Sequence, residues 1–216
     1  MGKSLPFEVF DRTFLGMNTG SAFTVIVATN SPYQSLQQLM EDVKKTPERI
    51  SYPSQGSTGT PDYFIRTLFD KAGADIAKAP GVMVTSGAQS VPLTAAGNVV
   101  MGLATASTAM GAYKAGLVRI LVISSAKRDP EFPNVPTTVE LGYPEVISWN
   151  GLSAPPKTPK HIVDAWDKLF KESVNDPEYV AAVIKSGAVP FYNSPEATRE
   201  YVKNEIASAT RLMAVK

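Results

Sequence analysis

The residue types best placed to do chemistry in this chain are glycines and small hydroxyls grouped just ahead of helices. The run Ser51-Tyr52-Pro53-Ser54-Gln55-Gly56-Ser57-Thr58-Gly59-Thr60-Pro61 follows a short strand-forming stretch and leads into an amphipathic segment. Small side chains let a ligand approach the backbone. A helix start adds free N–H groups and a partial positive charge, so the combination suits an anionic oxygen. The same run also reads as a flexible strand-to-helix turn. No Gly-Lys-Ser/Thr follows it, so it is not a nucleotide-binding P-loop. Thr85-Ser86-Gly87-Ala88-Gln89-Ser90 and Thr105-Ala106-Ser107-Thr108 repeat the pattern, the latter directly after the apolar run Val99 to Ala104. Each alone is an ordinary polar turn. Ligands in open α/β sheets sit beyond the carboxyl ends of strands, so three such loops can converge on one cleft.

Groups that activate nucleophiles or hold metals are scarce. There is no cysteine, which excludes disulfides, thiolate metal sites and a cysteine nucleophile. The single histidine, His161, sits between Lys160 and Ile162 in a predicted first helical turn and reads as a surface residue. A histidine-rich metal site is therefore impossible within one chain. No Gly-x-Ser-x-Gly elbow is present. Asp62 is placed either to orient a ligand amine or water, or simply to favour the first turn of its helix. Lys127-Arg128-Asp129 reads as a solvated loop. A hydrolase or transferase built on Ser54 to Thr60 lacks an adjacent base, so the chain is not expected to be an enzyme, and no cofactor is called for.

The elements that must position these loops can be read from periodicity. Short β-rich runs at Phe23 to Ala28, Ile76 to Ala79, Val99 to Ala104, Val118 to Ser124 and Ile147 to Leu152 alternate with helical patterns, which predicts an α/β fold with mainly parallel strands. Thr60-Pro61, Thr158-Pro159, Asp176-Pro177 and Ser194-Pro195 each place a capping side chain before a proline, and Thr137 with Glu140 fits a capping box. Three apolar stripes read as core: Phe64, Ile65, Leu68 and Phe69; Ile162, Val163, Trp166, Leu169 and Phe170; and Val202, Ile206, Ala209 and Met213. Ala126 to Thr138, with three prolines, reads as a long surface loop, and Ser153 to Pro159 as a rigid connector.

The 216 residues are 44% apolar and 19% charged, with 21 basic and 20 acidic side chains. That balance offers no basic field for nucleic acid or for a membrane surface. No apolar run approaches the ~20 residues that cross a bilayer. Met1 to Pro6 carries no signal-peptide core.

Read in order, several stretches resemble the tripartite tricarboxylate transporter receptors, the Bug family of extracytoplasmic solute receptors. They are Ile50 to Thr60; Lys114-Ala115-Gly116-Leu117-Val118-Arg119-Ile120-Leu121-Val122; Ser124 to Pro130 continuing through Pro133 to Pro144; Trp149-Asn150-Gly151-Leu152-Ser153-Ala154-Pro155; and Thr158-Pro159. The resemblance implies a periplasmic-binding-protein-like fold of two lobes that close on a small organic carboxylate in the periplasm. A membrane transporter would be the partner. It also implies ligand contacts through backbone N–H groups and small hydroxyls. Carried over by position, these are Ser54, Gly56, Ser57, Gly59, Thr60, Ser86, Gly87, Ala88, Gln89 and Thr105.

Against that pattern roughly the first third of the usual chain, with its Pro-Gly-Gly loop, is absent. Residues 21–147 are expected to form a complete second lobe, with 1–20 and 148–216 the remainder of an incomplete first lobe. The family's Pro-Tyr-Lys/Arg-Gly stretch reads Pro80-Gly81-Val82-Met83-Val84, its acidic residue is Val100, and its Asp-Asn pair is Ala104-Thr105. With one gripping loop missing, weak binding by this chain alone is expected. The alternative is a shortened receptor-like module acting as a sensor or protein-interaction domain without transport. In that case apolar surface left uncovered by the missing part would drive association.

Overall fold

The computed structural model describes residues 8–56, 59–186 and 188–214. In chain order its elements are β1 (Thr13–Ala28), α1 (Leu36–Lys45), β2 (Tyr52–Ser54), α2 (Thr60–Ala72), β3 (Gly81–Met83), α3 (Gly87–Ala95), β4 (Gly102–Thr105), α4 (Ala106–Lys114), β5 (Val118–Ile123), β6 (Ile147–Ala154), α5 (Lys160–Ser173), α6 (Pro177–Lys185), β7 (Val189–Asn193) and α7 (Pro195–Ala214). They fall into two compact units. Unit one takes the described residues up to Ser21 and from Ser148 to Arg211. Unit two takes Ala22 to Ile147 and the end of α7 from Leu212.

Unit two is organised by the apolar run Phe23 to Ala28. Phe23, Val25 and Val27 enter one hydrophobic cluster with Leu36, Leu39, Met40 and Val43 of α1 and Phe64, Ile65, Leu68 and Phe69 of α2. Ile26, on the opposite pleat, enters a second cluster with Val91 of α3, Ala109 of α4, Phe132 and Val135. Successive strand residues face opposite ways, so a strand covered on both sides reads as continuously apolar. The Phe64 stripe is fully buried, as its helical period predicts. Each such side chain contributes about 1.5–3 kcal/mol through burial.

Strand directions differ in part from the mainly parallel expectation. β2 and β3 are parallel. β1 lies antiparallel between β4 and β5. β4 and β5, joined through α4, therefore run parallel to each other, as a strand–helix–strand connection requires. β1 enters that pair from elsewhere in the chain and reverses the local direction. Ile76–Lys78 is a 3-10 turn, not a strand, because the Asp75 carboxylate accepts from Ala77 N at 3.0 Å and closes the chain on itself. Thr137 and Glu140 make both capping-box bonds, at 3.0 and 3.1 Å, around a turn and not a helix start. The Pro-rich stretch 126–138 is irregular as expected but not purely superficial, since Phe132 and Val135 anchor it in the second cluster.

In unit one the first part of β1 pairs with β6 and with β7, the latter antiparallel with Met17 opposite Asn193. Gly16 has φ +127, and a Cβ there would lie 2.9 Å from both Asn193 O and Phe170 Cδ2, so only glycine fits. Asp176 caps α6 through Glu178 N and Tyr179 N, and Ser194 caps α7 through Ala197 N. Thr158 does not cap α5; its hydroxyl donates to Pro155 O, and Pro159 occupies the cap position. The apolar stripe of α5 is not core. Phe170 alone is buried, Trp166 is half-buried, and Ile162 and Leu169 are exposed. On α7, Val202 is buried and Ile206 exposed; Met213 lies outside the described side chains. His161 is exposed. The half-buried Glu205 carboxylate accepts from Trp149 Nε1 at 3.0 Å. Burial pushes its carboxyl above the ordinary carboxylate range, with the Trp149 bond opposing.

Two outcomes follow from this packing. A Cβ on Gly102 would stand 2.0 Å from Thr94 Oγ1 and 2.8 Å from Ile26 Cγ1, so Gly102→Ala should destabilise unit two by about 1–3 kcal/mol or more, read by urea unfolding followed by far-UV circular dichroism. The raised Glu205 value means the folded form holds the proton more tightly than the unfolded chain. That stabilisation is full below the ordinary carboxylate range and is lost as pH rises through the folded value. Glu205→Gln, which keeps an acceptor for Trp149, should therefore flatten the pH dependence of tryptophan-detected unfolding above about pH 4.

Candidate functional site

The three small-residue loops occupy equivalent places in unit two. β2 leads into α2, β3 into α3 and β4 into α4, so each loop is the step from a strand's carboxyl end to a helix start. Neighbouring loops are tied together. Val84 N donates to Ser54 O at 2.8 Å, which joins the ends of β2 and β3. The Cα of Gly87 faces the end of β4, where an added Cβ would meet Ala104 Cα at 3.6 Å. Val100 N and Met101 N both donate to Ser51 O, so β2 and β4 enter side by side. Ser90 Oγ accepts from Leu103 N at 2.9 Å and fixes α3 against β4. Ser90 closes the second small-residue run, where nothing local shows that its hydroxyl turns to β4.

Within the first loop a buried carboxylate does the shaping. Asp62 is 3% exposed. Its Oδ1 accepts from Ser54 Oγ at 2.6 Å and its Oδ2 from Gln55 N at 2.9 Å. Ser54 Oγ in turn accepts from Gly56 N at 3.1 Å. The Ser54 proton is thus directed inward, and Asp62 holds the chain where Gly56 turns with φ +94. Among the described residues no heavy atom lies within 4 Å of a Cβ placed on Gly56, where the positive φ itself opposes a side chain. Burial, with Asp62 adding and Arg66 opposing, keeps the nearby Tyr52 phenol above its ordinary value.

The helix starts differ in how they are capped. α2 has Gly59 at its cap with no side-chain hydrogen bond, so Thr60 is its first helical residue and not the cap. α3 has Ser86 at its cap, again without a side-chain bond. Gln89 reaches back so that its Oε1 accepts from Thr85 N at 2.8 Å. α4 is capped by Thr105, whose hydroxyl accepts from Thr108 N and lies 3.1 Å from Ser107 Oγ and 2.8 Å from Thr108 Oγ1. Gly56, Gly59, Thr60, Ser86, Gly87 and Thr105 are half-exposed, while Ala88 and Gln89 are exposed. Ser57 and Thr58 lie outside the described residues. The fold therefore gathers Ser54, Gly56, Ser86, Gly87 and Thr105 along one line of strand ends.

This line of amides and hydroxyls suits an anion held by backbone groups. Ser54 Oγ and Asp62 form a hydroxyl–carboxylate pair at 2.6 Å, but both side chains are buried, and among the described residues no group of acidic or histidine side chains is arranged to hold a metal ion. Two hollows elsewhere, of about 420 and 630 Å³, both belong to unit one and are lined by none of these residues. Among the described residues no helix is long and apolar enough to cross a membrane.

The profile of the tripartite tricarboxylate transporter family receptors matches residues 1–215. Protein BugT of Bordetella pertussis is 28% identical over 208 residues, covering 94% of this chain and 62% of its own length. A TctC solute binding protein from Polaromonas superposes over 97% of this chain and 72% of its own with TM-score 0.86 at 18% identity. MatC from Rhodopseudomonas palustris with bound malate superposes over 98% of this chain and 73% of its own with TM-score 0.70 at 20% identity. The chain spans less than two thirds of the length of the curated relatives it matches first. The fold is that of periplasmic binding proteins, and the chain belongs to the tripartite tricarboxylate transporter receptor family.

Proposed function

We propose that the chain works as a solute-binding receptor that takes up a small organic carboxylate in the periplasm and delivers it to the membrane subunits of a tripartite tricarboxylate-type transporter. The observation that carries this reading is the row of helix starts at the ends of β2, β3 and β4, two of them lacking a side-chain cap. Uncapped helix N-termini attract negative charge, and backbone N–H groups grip carboxylate oxygens without a charged side chain. A malate-bound member of the same fold gives the reading further support.

The geometry supports a role for each of these residues. Thr60 begins α2, and Ser86, Gly87 and Ala88 lie at the start of α3; these offer amides to the ligand, while Gly59 N already donates to Gly56 O at 3.2 Å and fixes the turn before α2. Gly56 sets the turn, and Thr105 presents its hydroxyl from the end of β4. Ser54 and Asp62 act behind these groups. The Asp62 carboxylate already takes two donors that an incoming carboxylate would otherwise meet. The guest is thereby directed to the later amides of the loop.

Titrating isotope-labelled chain with malate, a tricarboxylate and an uncharged diol tests this. The amide resonances of Gly59, Thr60, Gly87 and Thr105 should move together and saturate with the carboxylates but not with the diol. Movement confined to other residues, or equal response to the diol, would exclude the site. Asp62→Ala leaves Ser54 Oγ and Gln55 N without their buried acceptor. It should lower unit-two stability by about 1–3 kcal/mol and weaken carboxylate binding, with Asp62→Asn intermediate in both. Calorimetric titration and urea unfolding read the two effects.

A further inference from the structure

The chain holds seven methionines, and the side chains of Met1 and Met213 lie outside the described ones. Met17 and Met101 are fully buried, Met40 is 5% exposed, and Met110 is half-buried against the second cluster. Met83 differs from all of these at 72% exposed, so packing gives it no role. It is the last residue of β3, which pairs with β2 and, among the described strands, with no other. The parallel register sets Gly81 opposite Tyr52 and Met83 opposite Ser54. A Cβ on Gly81 would meet Ser54 Cβ and Tyr52 Cζ, each at 3.6 Å. Residues two apart on a strand share a face, so Met83 lies on the face of Ser54, at the sheet edge. Ser54 there donates to Asp62 of α2, and Val84 N, next to Met83, donates to Ser54 O at 2.8 Å. The thioether thus stands open to solvent beside the step from β2 to α2, whose helix start has no side-chain cap.

We infer that Met83 is a reversible oxidation site, and that its sulfoxide lowers the affinity of this edge of unit two for a carboxylate. The oxidant is a peroxide. The sulfur lone pair attacks one peroxide oxygen, the O–O bond breaks and the S–O bond forms. A proton moves to the departing oxygen, which leaves as water. Sulfur is oxidised by two electrons and the peroxide is reduced by two. Exposure selects Met83, because the oxidant reaches sulfur where solvent does. The reaction turns a flexible apolar side chain into a polar one whose oxygen carries partial negative charge. Negative charge near a helix start is drawn to its amides, so the sulfoxide competes with a carboxylate for the first amides of α2. Enzymatic reduction of the sulfoxide restores the thioether, which makes the change reversible. The loss of affinity rests on the carboxylate reading; the oxidation and its local effect on the loop do not.

Dilute hydrogen peroxide on the folded chain, followed by peptide mass spectrometry, should convert Met83 ahead of Met17, Met40, Met101 and Met110, with the buried ones reacting only once urea is added. Oxidation should shift the amide resonances of Gln55, Gly56 and Thr60 with no ligand present. In calorimetric titration the affinity for malate should fall by about two- to fivefold, and methionine sulfoxide reductase with a dithiol should restore it. Met83→Leu, measured before and after the same treatment, should show neither the shift nor the fall. Met1 and Met213 are present in both chains, so they do not contribute to that difference. Oxidation of Met40 or Met110 ahead of Met83 overturns the inference. Complete Met83 sulfoxide with Gln55, Gly56 and Thr60 unmoved, or with malate affinity unchanged, overturns it as well. A reduced chain that binds no malate overturns the carboxylate reading and the affinity claim that rests on it; the amide shifts still decide the oxidation site by themselves.

Discussion

Burial of both faces of the strand segment Phe23 to Ala28 is the constraint on which unit two depends. Val25 and Val27 are held against α1 and α2, while Ile26 is held against α3, Phe132 and Val135. A strand fixed from both sides cannot slip by one residue without exchanging its two apolar faces, so its register with β4 and β5 is set. Register then places Phe23 opposite Thr105, and Phe23 N on Ser124 Oγ at 2.7 Å. The helix starts beyond the strand ends inherit their positions from that packing. The candidate site is thus set by the core together with the buried Asp62 carboxylate.

The same logic explains the inward-facing carboxylate. Loops of glycine and serine lose more conformational entropy on folding than ordinary chain, so a small-residue anion site must be stiffened from behind. Asp62 does this by accepting from Ser54 and Gln55 under the loop. A receptor that binds through amides gains from this arrangement, because pre-set donors lose less freedom when the ligand arrives. Unit one shows the reverse case. Its strands and caps are well formed, yet the apolar stripe on α5 meets little to pack against.

Much of this was legible in the residues. The Phe64 stripe keeps helical period and is buried, because α1 and the sheet lie on its side. Caps at Asp176 and Ser194 depend only on local backbone geometry and read true. The strand read at Ile76 to Ala79 proved a 3-10 turn, since a four-residue apolar run carries no usable period and the Asp75 cap decided the matter. Prolines in 126–138 announced irregular backbone but not exposure. Periodicity put the stripe of α5 in the core, but of its members only Phe170 is buried, while Ile162 and Leu169 are exposed. At the site, the glycine and hydroxyl loops were visible as composition. Their convergence could be expected from their places at strand ends, but not the contacts that bring them together, which join segments far apart in sequence, such as Gly87 with Ala104. The role of Asp62 was likewise hidden, since nothing in the order of residues says which way a carboxylate turns.

The most direct test of the account is a crystal structure of this chain grown with a dicarboxylate. The account places the carboxylate oxygens about 3 Å from backbone nitrogens at the starts of α2 and α3. Density for the ligand in the apolar hollow beside Trp166, or side chains packed over Gly59, Thr60 and Gly87, would contradict it.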